Sequence, residues 1–204
     1  MLSLLSVDKN LKIFLLFSQH HQLGPVSVAF LQYTNWYVIT GAPCSGKTSV
    51  VRELEKRGYR VVHEVARAYI DEELNKGKRL EEIKSDALAF EHHILDRKIK
   101  IESSLPKDAV IFLDRAVPDS IAYFTLEGLN STEPLEKSKT VRYKKVFLLE
   151  RLVFEKDPAR VEDESIATQL DRLIEDSYRM LGYDIGRVPV LSIKDRTDFI
   201  LQRL

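Results

Sequence analysis

Five short apolar runs recur along the chain, and stretches with helical spacing separate them. The runs cover residues 36–40, 59–63, 109–113, 145–149 and 188–193. Apolar runs of this length that alternate with helical segments are typical of a parallel sheet covered by helices on both faces. The pattern therefore predicts an α/β fold with a five-stranded parallel sheet.

Two longer segments show the three-, four- and seven-residue steps of amphipathic helices. The first spans residues 80–104, and the second spans 163–181 and stops at Gly182. The second helix is predicted to bury one face, formed by Ile166, Leu170, Leu173, Ile174, Tyr178 and Leu181. Residues 128–140 are polar and rich in turn-forming residues, which indicates an excursion on the surface.

The pattern predicts one domain over residues 34–204, preceded by an N-terminal extension over residues 1–33. The extension contains an apolar run at residues 11–17. This run is shorter than the roughly 18–20 residues that a membrane-spanning helix needs. It resembles the apolar part of a signal peptide, but no small-residue cleavage site follows it. The extension is either a packing arm or not part of the true product.

The charge balance and the cysteine content exclude several kinds of partner and site. The 204 residues include 31 Lys plus Arg and 31 Asp plus Glu, so no global field attracts nucleic acid or an anionic membrane. Cys44 is the only cysteine, which excludes an internal disulfide and a cysteine-based zinc site. We expect a cytoplasmic protein without a nucleic-acid partner.

Residues 41–48 form a complete G-x-x-x-x-G-K-[ST] phosphate-binding loop (P-loop). The apolar run before it and a helical segment that ends at Gly58 after it provide the strand–loop–helix context that the motif requires. Lys47 is expected to neutralise the β- and γ-phosphates, and Thr48 is expected to hold Mg²⁺. The predicted nucleotide-binding residues are Gly41, Ala42, Pro43, Cys44, Ser45, Gly46, Lys47, Thr48 and Ser49.

Glu64 and Arg67 follow the second apolar run. Ligands of open α/β sheets gather at the carboxyl ends of the strands, so Glu64 is expected to face the same crevice as the P-loop. There Glu64 would orient or deprotonate an attacking hydroxyl, or help to hold Mg²⁺. The alternative is a carboxylate that satisfies free amides at a helix start. Arg67 would bind phosphate or pair with Glu64.

Asp114 and Arg115 end the third apolar run, in the arrangement of a Walker B motif. Asp114 is expected to accept a hydrogen bond from Thr48 or from a water on Mg²⁺, which prefers oxygen ligands and keeps several waters. Arg115 is expected to clamp the substrate or the transferred phosphoryl group. The alternative is a structural ion pair between Asp114 and Arg115.

Five further polar residues are weaker candidates. Arg160, and less clearly Arg151, follow the fourth strand among turn residues and acids, which suits a lid over the nucleotide. The alternative is a solvated charge cluster. Arg196 follows the last strand and would either stack on the base or cap the C-terminal helix. Glu91, or its neighbour His92, would contact substrate from the 80–104 helix.

These residues together resemble the P-loop nucleoside and nucleotide kinases. More narrowly, the chain is similar to the AAA-type ATP-binding family that includes the ribosylnicotinamide kinase domain of the bacterial NAD regulator. The segments that carry the resemblance are 41–48, 64–67, 113–115, 160–164, 181–183 and 188–190. The resemblance implies a three-layer P-loop fold with strand order 2-3-1-4-5, an arginine-bearing lid, and ATP as phosphoryl donor.

The resemblance leaves the activity open. Family members divide between small-molecule kinases and ATPases, and some eukaryotic relatives bind nucleotides and phospholipids. The leading expectation is a kinase that transfers the γ-phosphoryl of ATP to a nucleoside-, nucleotide- or vitamin-like compound, with Lys47, Glu64, Asp114 and Arg160 as catalytic residues. The alternative is a nucleotide-switched ATPase- or GTPase-like protein that binds lipid or protein partners. A nucleic-acid-linked ATPase has the least support.

Overall fold

A computed structural model describes residues 31–152 and 161–204, with the side chains of 164–204 in the second range. In chain order the elements are β1 (Gln32–Tyr33), β2 (Trp36–Thr40), α1 (Lys47–Lys56), β3 (Arg60–Val62), α2 (Val65–Asn75), α3 (Leu80–Ile83), α4 (Ala87–Ser104), β4 (Ile111–Asp114), α5 (Asp119–Leu126), α6 (Thr132–Ser138), β5 (Val141–Arg142), β6 (Lys145–Leu149), α7 (Val161–Met180), β7 (Ile185–Val188) and α8 (Ile193–Leu201).

Five of the strands form one parallel sheet in the order β3-β4-β2-β6-β7. When these five are numbered in sequence order, the arrangement is 2-3-1-4-5, as predicted. β2 lies at the centre, where Val38 is level with Leu113 of β4 and Val146 of β6. The carboxyl ends of β2, β3, β4 and β6 therefore meet at one edge of the sheet.

The sheet buries both of its faces, which confirms the three-layer architecture. Because side chains alternate along a strand, β2 sends Trp36 and Val38 to one face and Tyr37 and Ile39 to the other. Helices α5 and α7 cover the first face, and α1 and α8 cover the second. Since both faces of β2 are packed, its residues are all buried and read as a continuous apolar run.

The last core strand is shifted toward the N-terminus relative to the prediction. The sequence placed it at residues 188–193, but β7 covers Ile185–Val188. Residues 189–192 connect it to α8, and the side chain of Ser192 caps that helix by accepting a hydrogen bond from the Asp195 amide. A serine cap is favoured at this position because it satisfies a free amide of the first turn.

The helix predicted over residues 80–104 is two helices. A break at residues 84–86 separates α3 from α4, and the carboxylate of Asp86 caps α4 by accepting from the Ala89 amide at 2.9 Å. The apolar period continues across the break, which is why the pattern predicted one helix. On α7, Ile166 is half exposed instead of buried, whereas Leu170, Ile174 and Tyr178 are in the core.

Two features lie outside the predicted pattern. Residues 128–140 include α6, and β5 follows that helix and pairs in parallel with β1. β1 falls within the stretch that the sequence assigned to the extension, of which residues 1–30 lie outside the described residues. No helix in the described parts of the chain is long and apolar enough to span a bilayer.

Candidate functional site

The glycines of the P-loop occupy positions that other residues cannot fill easily. Gly41 follows β2 with φ of 139°, and a Cβ there would lie 2.7 Å from the carbonyl oxygen of Leu149. Gly46, immediately before α1, has φ of 78°. Glycine adopts these conformations without a steric penalty. The loop can therefore turn sharply between the central strand and the N-terminus of α1.

Lys47 is folded back into the loop. Its Nζ donates hydrogen bonds to the carbonyl oxygen of Ala42 at 2.9 Å and to Oγ of Ser45 at 3.2 Å. Ser45 Oγ also donates to the Ala42 carbonyl at 2.9 Å. The ammonium, the hydroxyl and the carbonyl oxygen are therefore all hydrogen-bonded to one another. Burial, and next the charge of Arg115, lower the pKa of Lys47 to about 7. A bound phosphate would restore its charge.

The other side of the loop is open. Pro43, Cys44, Thr48 and Ser49 are exposed, and Thr48 lies in the first turn of α1. Among the described residues no side chain caps that helix, so its N-terminus offers free amides and the positive end of the helix dipole. An anion such as a polyphosphate is stabilised at such a position.

Arg196 braces the P-loop from behind. The side chain is only 2% exposed, and it donates to three carbonyls, those of Ser45, Glu150 and Pro189. These carbonyls belong to the P-loop, the end of β6 and the segment after β7. From the sequence, Arg196 was expected either to stack on the base or to cap the C-terminal helix. The hydrogen bonds to these three carbonyls were not predicted. Its direct contact with a nucleotide stays a prediction.

Asp114 ends β4 beside the P-loop and is buried. No hydrogen bond reaches its Oδ1 from any residue that the structure describes, the hydroxyl of Thr48 included. Burial, and next the charge of Glu64, raise the pKa of Asp114 to about 6. A buried carboxylate oxygen without a donor is costly, so the site calls for a cation or a bound water at this atom.

Arg115 and Glu64 form an ion pair at the strand ends. Nε of Arg115 donates to Oε1 of Glu64 at 3.0 Å, and Arg115 lies over the ring of Tyr123 at 5.2 Å. The backbone of Arg115 has φ of 66°, which is uncommon for a residue with a side chain. Burial opposes ionisation of Glu64, but Arg115 and Lys47 hold the pKa of Glu64 below its usual value.

The ion pair argues against one of the two sequence interpretations of Glu64, the helix cap. Glu64 precedes α2 but its side chain makes no capping hydrogen bond. Its carboxylate instead faces Arg115 and remains 28% exposed. Arg115 pairs with Glu64 and Asp119, so the proposed ion pair between Asp114 and Arg115 is not formed. One oxygen of Glu64, Oε1, is therefore held by Arg115.

Asp119 is a site residue that the sequence analysis missed. It is fully buried at the start of α5, where it accepts hydrogen bonds from Thr40, Tyr178, Arg115 and the amide of Ala116. Burial opposes ionisation, yet Arg115, Lys98 and these donors keep the pKa of Asp119 below its usual value. A carboxylate in the first turn of a helix suggests only an ordinary cap, so the sequence offers little to distinguish it.

Three candidates lie further along the same side of the sheet. Arg67 is exposed and pairs with Asp71 at 3.1 Å, so it does not pair with Glu64. Glu91 is buried in α4 and acts electrostatically on Arg115. His92 contacts Glu133 of α6 at 3.2 Å and packs edge-on against Phe124. A contact of Glu91 or His92 with substrate stays a prediction.

The lid candidates are described only in part. Arg160 lies outside the described residues. Arg151 donates to Oγ1 of Thr168 in α7 at 2.6 Å. The same helix contacts the P-loop, because the carboxylate of Asp171 accepts from the amide of Ala42 at 3.3 Å. The helix that follows the predicted lid is therefore attached directly to the loop.

The residues present suit a Mg²⁺ ion. Mg²⁺ binds through one or two carboxylates, substrate phosphates and waters. Asp114 offers a buried carboxylate oxygen without a donor, Thr48 offers an exposed hydroxyl at the start of α1, and Glu64 lies near enough to raise the pKa of Asp114. All three are hard oxygen donors at one edge of the sheet, as this metal prefers.

Comparison with protein families gives one match. A family model described as an AAA domain matches residues 36–196, from β2 into α8. The matched stretch includes the P-loop, Glu64 and the Asp114–Arg115 pair. No curated protein matches the sequence significantly.

Solved structures share the fold. The deoxyadenosine kinase from M. mycoides has 16% sequence identity and a TM-score of 0.57, with 82% of this chain and 97% of that chain covered. The thymidylate kinase from Ehrlichia chaffeensis has 13% identity and a TM-score of 0.61, with 84% and 98% covered. The NadR protein in complex with NR has 17% identity and a TM-score of 0.57, with 76% and 44% covered. At these identities the likeness concerns the fold.

Proposed function

Because this chain belongs to the AAA domain family, we propose that it is an ATP-dependent kinase, which transfers the γ-phosphoryl group to a small metabolite. The observation that carries the proposal is the position of Glu64, whose carboxylate is held by Arg115 at the same sheet edge as Lys47 and Asp114. Two of the structures that share its fold are a nucleoside kinase and a nucleotide kinase.

The P-loop would bind the triphosphate. Backbone amides at the start of α1 and the ammonium of Lys47 would neutralise the β- and γ-phosphates. Lys47 already points into the loop, so it needs little reorganisation to reach a phosphate. Thr48 and Asp114 would hold Mg²⁺, which would supply neutralisation of the phosphate charge.

Glu64 would hold the phosphoryl acceptor. Its carboxylate would accept a hydrogen bond from the acceptor hydroxyl and take its proton as the new oxygen–phosphorus bond forms. The bond between the γ-phosphorus and the bridging oxygen breaks, and ADP leaves. Because phosphoryl transfer has a loose transition state, orientation of the hydroxyl matters more than basicity. An ionised carboxylate that Arg115 keeps fixed fits this role.

Arg115 acts on the reaction through Glu64 and Asp119. Its guanidinium lies between the two carboxylates and is 4% exposed. Arg160 of the predicted lid would supply the remaining positive charge and exclude water, which favours transfer over hydrolysis. That role of Arg160 rests on its place in the sequence.

Glu64→Gln tests the proposal. The variant keeps the shape of the side chain but removes the charged carboxylate that orients the hydroxyl and takes its proton, so turnover is expected to fall by roughly 100- to 10,000-fold. The dissociation constant of ATP·Mg²⁺ in calorimetry should change little. The matched control is Glu81→Gln, an exposed glutamate of α3.

A panel of nucleosides, nucleotides and vitamins distinguishes the kinase from the nucleotide-switched alternative. Phosphorylated product from one compound, lost in Glu64→Gln, supports the kinase. ATP hydrolysis that no compound stimulates supports a switch, and full activity of Glu64→Gln removes the proposed base.

A further inference from the structure

The turn between β4 and α5 holds Arg115 in an uncommon backbone conformation. Its φ of 66° lies in the left-handed region, which residues with a side chain rarely adopt. Such conformations cost free energy and persist only where the surrounding structure fixes them. In the proposed reaction Arg115 positions Glu64, so the contacts that fix this turn also determine where Glu64 lies.

Three successive backbone amides of the turn are hydrogen-bonded. The Arg115 amide donates to the carbonyl of Ile39 in β2 at 3.0 Å, and the following amide donates to the carboxylate of Asp119 in α5 at 2.9 Å. The third amide, that of Val117, donates to Oε1 of Glu102 in α4 at 3.0 Å. The first two acceptors belong to elements beside the turn, whereas Glu102 ties the turn to a helix on its outer side.

Glu102 has a fixed orientation inside the protein. It is buried, and its Oε2 accepts a hydrogen bond from the hydroxyl of Tyr143 at 2.7 Å. Burial raises the pKa of Glu102 to about 7. A buried acid is costly unless it is hydrogen-bonded, and here each of its two oxygens has a donor. The contact with Tyr143 therefore leaves Oε1 directed at the amide of Val117.

We propose that Glu102 is a positioning residue for the phosphoryl transfer. By holding the Val117 amide, it keeps the turn in the conformation that places the Arg115 guanidinium between Glu64 and Asp119. The inference rests on the proposed kinase function and adds α4 to the elements that position the proposed base. Glu102 acts through the turn, so the reach of its side chain matters and its acidity does not.

Three substitutions of Glu102 separate reach from charge. Glu102→Gln keeps an oxygen acceptor at the same distance, so its kcat should stay close to that of the wild type. Glu102→Asp keeps the acid but shortens the side chain by about 1.5 Å. Glu102→Met keeps the length but lacks the oxygen.

In Glu102→Asp and Glu102→Met, kcat should fall by roughly 100-fold, because a misplacement of about 1 Å can cost that much even when the substituted residue is far from the chemistry. The Kd of ATP·Mg²⁺ should stay unchanged, since the turn is not part of the P-loop. Turnover is measured on the full chain with radiolabelled ATP·Mg²⁺ and the same panel of nucleosides, nucleotides and vitamins.

Tyr183→Phe is the matched control for stability. The hydroxyl of Tyr183 accepts from the amide of Tyr143 at 3.2 Å. Glu102→Met and Tyr183→Phe therefore each leave one buried backbone amide without its acceptor, and both should unfold at lower urea concentrations than the wild type. Only Glu102→Met should lose turnover. An equal loss of kcat in Tyr183→Phe would attribute the effect to general destabilisation and overturn the inference.

A second measurement needs no substrate. The Nε–H group of Arg115 donates to Glu64, and its signal in proton–nitrogen NMR is assigned by its loss in Arg115→Lys. The signal should shift in Glu102→Asp and Glu102→Met, and it should keep its position in Glu102→Gln and Tyr183→Phe.

An unmoved Arg115 signal in Glu102→Met, or native kcat in both Glu102→Asp and Glu102→Met, would overturn the inference while the kinase function stands. A wild-type chain that phosphorylates no compound of the panel would reject the kinase function. In that case the Arg115 signal still decides whether Glu102 holds the turn.

Discussion

The phenol of Tyr178 in α7 donates a hydrogen bond of 2.6 Å to the carboxylate of Asp119 in α5, across 59 positions of the chain. Both residues are fully buried. Asp119 in turn accepts from Arg115, which holds Glu64. The helix that follows the predicted lid is therefore linked to the proposed base through three successive hydrogen bonds.

Tyr178→Phe should destabilise the protein. The change keeps the ring in the core but leaves Asp119 with one donor fewer, at a cost of about 1–3 kcal/mol in the free energy of unfolding. Urea denaturation measures this difference. The control is Tyr59→Phe. The ring of Tyr59 packs edge-on against Phe112, and no described residue forms a hydrogen bond with its hydroxyl. Equal stability of the two variants would show that the hydroxyl of Tyr178 contributes nothing.

Arg196→Met should weaken nucleotide binding because the P-loop loses its support. The change keeps the apolar stem but leaves the carbonyls of Ser45, Glu150 and Pro189 without their donor. We expect a loss of about 2–4 kcal/mol in the free energy of unfolding, since buried carbonyls lose their partner. The Kd of ATP·Mg²⁺, measured where the variant is folded, should also rise.

Arg203→Met is the matched control for Arg196→Met. Arg203 follows the same helix, is exposed, and donates to the carbonyl of Phe199. Arg196→Lys should be intermediate, because one ammonium cannot span three carbonyls as the planar guanidinium does. Native affinity for ATP in Arg196→Met would show that the brace does not shape the P-loop.

Triphosphate binding should take up a proton at about pH 8. Burial lowers the pKa of Lys47 to about 7, so at pH 8 most of the free protein has a neutral lysine. Bound phosphates favour the ammonium and raise that pKa, so binding is coupled to protonation. The Kd of ATP·Mg²⁺ should therefore rise with pH above about 7, by up to tenfold per unit.

Calorimetry in two buffers with different ionisation enthalpies measures the proton uptake. Asp114, whose pKa is raised to about 6, is already ionised at pH 8 and contributes little there. Binding of adenosine, which has no phosphate, should take up no proton in the same measurement. Equal heats of ATP·Mg²⁺ binding in both buffers would contradict a neutral Lys47 in the free protein.

Much of the fold could be predicted because each element has its own local pattern. The runs at 36–40 and 145–149 are the strands β2 and β6, since strands buried on both faces are apolar throughout. Element boundaries were less certain: β7 ends at Val188 and α4 begins after Asp86. The polar caps Asp86 and Ser192 set the starts of α4 and α8, and apolar spacing does not reveal such caps.

The sequence by itself determined the P-loop, the acid at the end of β4 and the layered sheet, because these features depend on neighbouring residues and on strand order. Only the tertiary structure decided which distant side chains meet. It placed Arg196 behind Ser45, Arg115 between Glu64 and Asp119, and Tyr178 against Asp119. Apart from the Arg115–Asp119 pair, these contacts join residues that are 51 to 151 positions apart in the chain. They result from how the helices pack on the sheet, and local sequence spacing does not encode that packing.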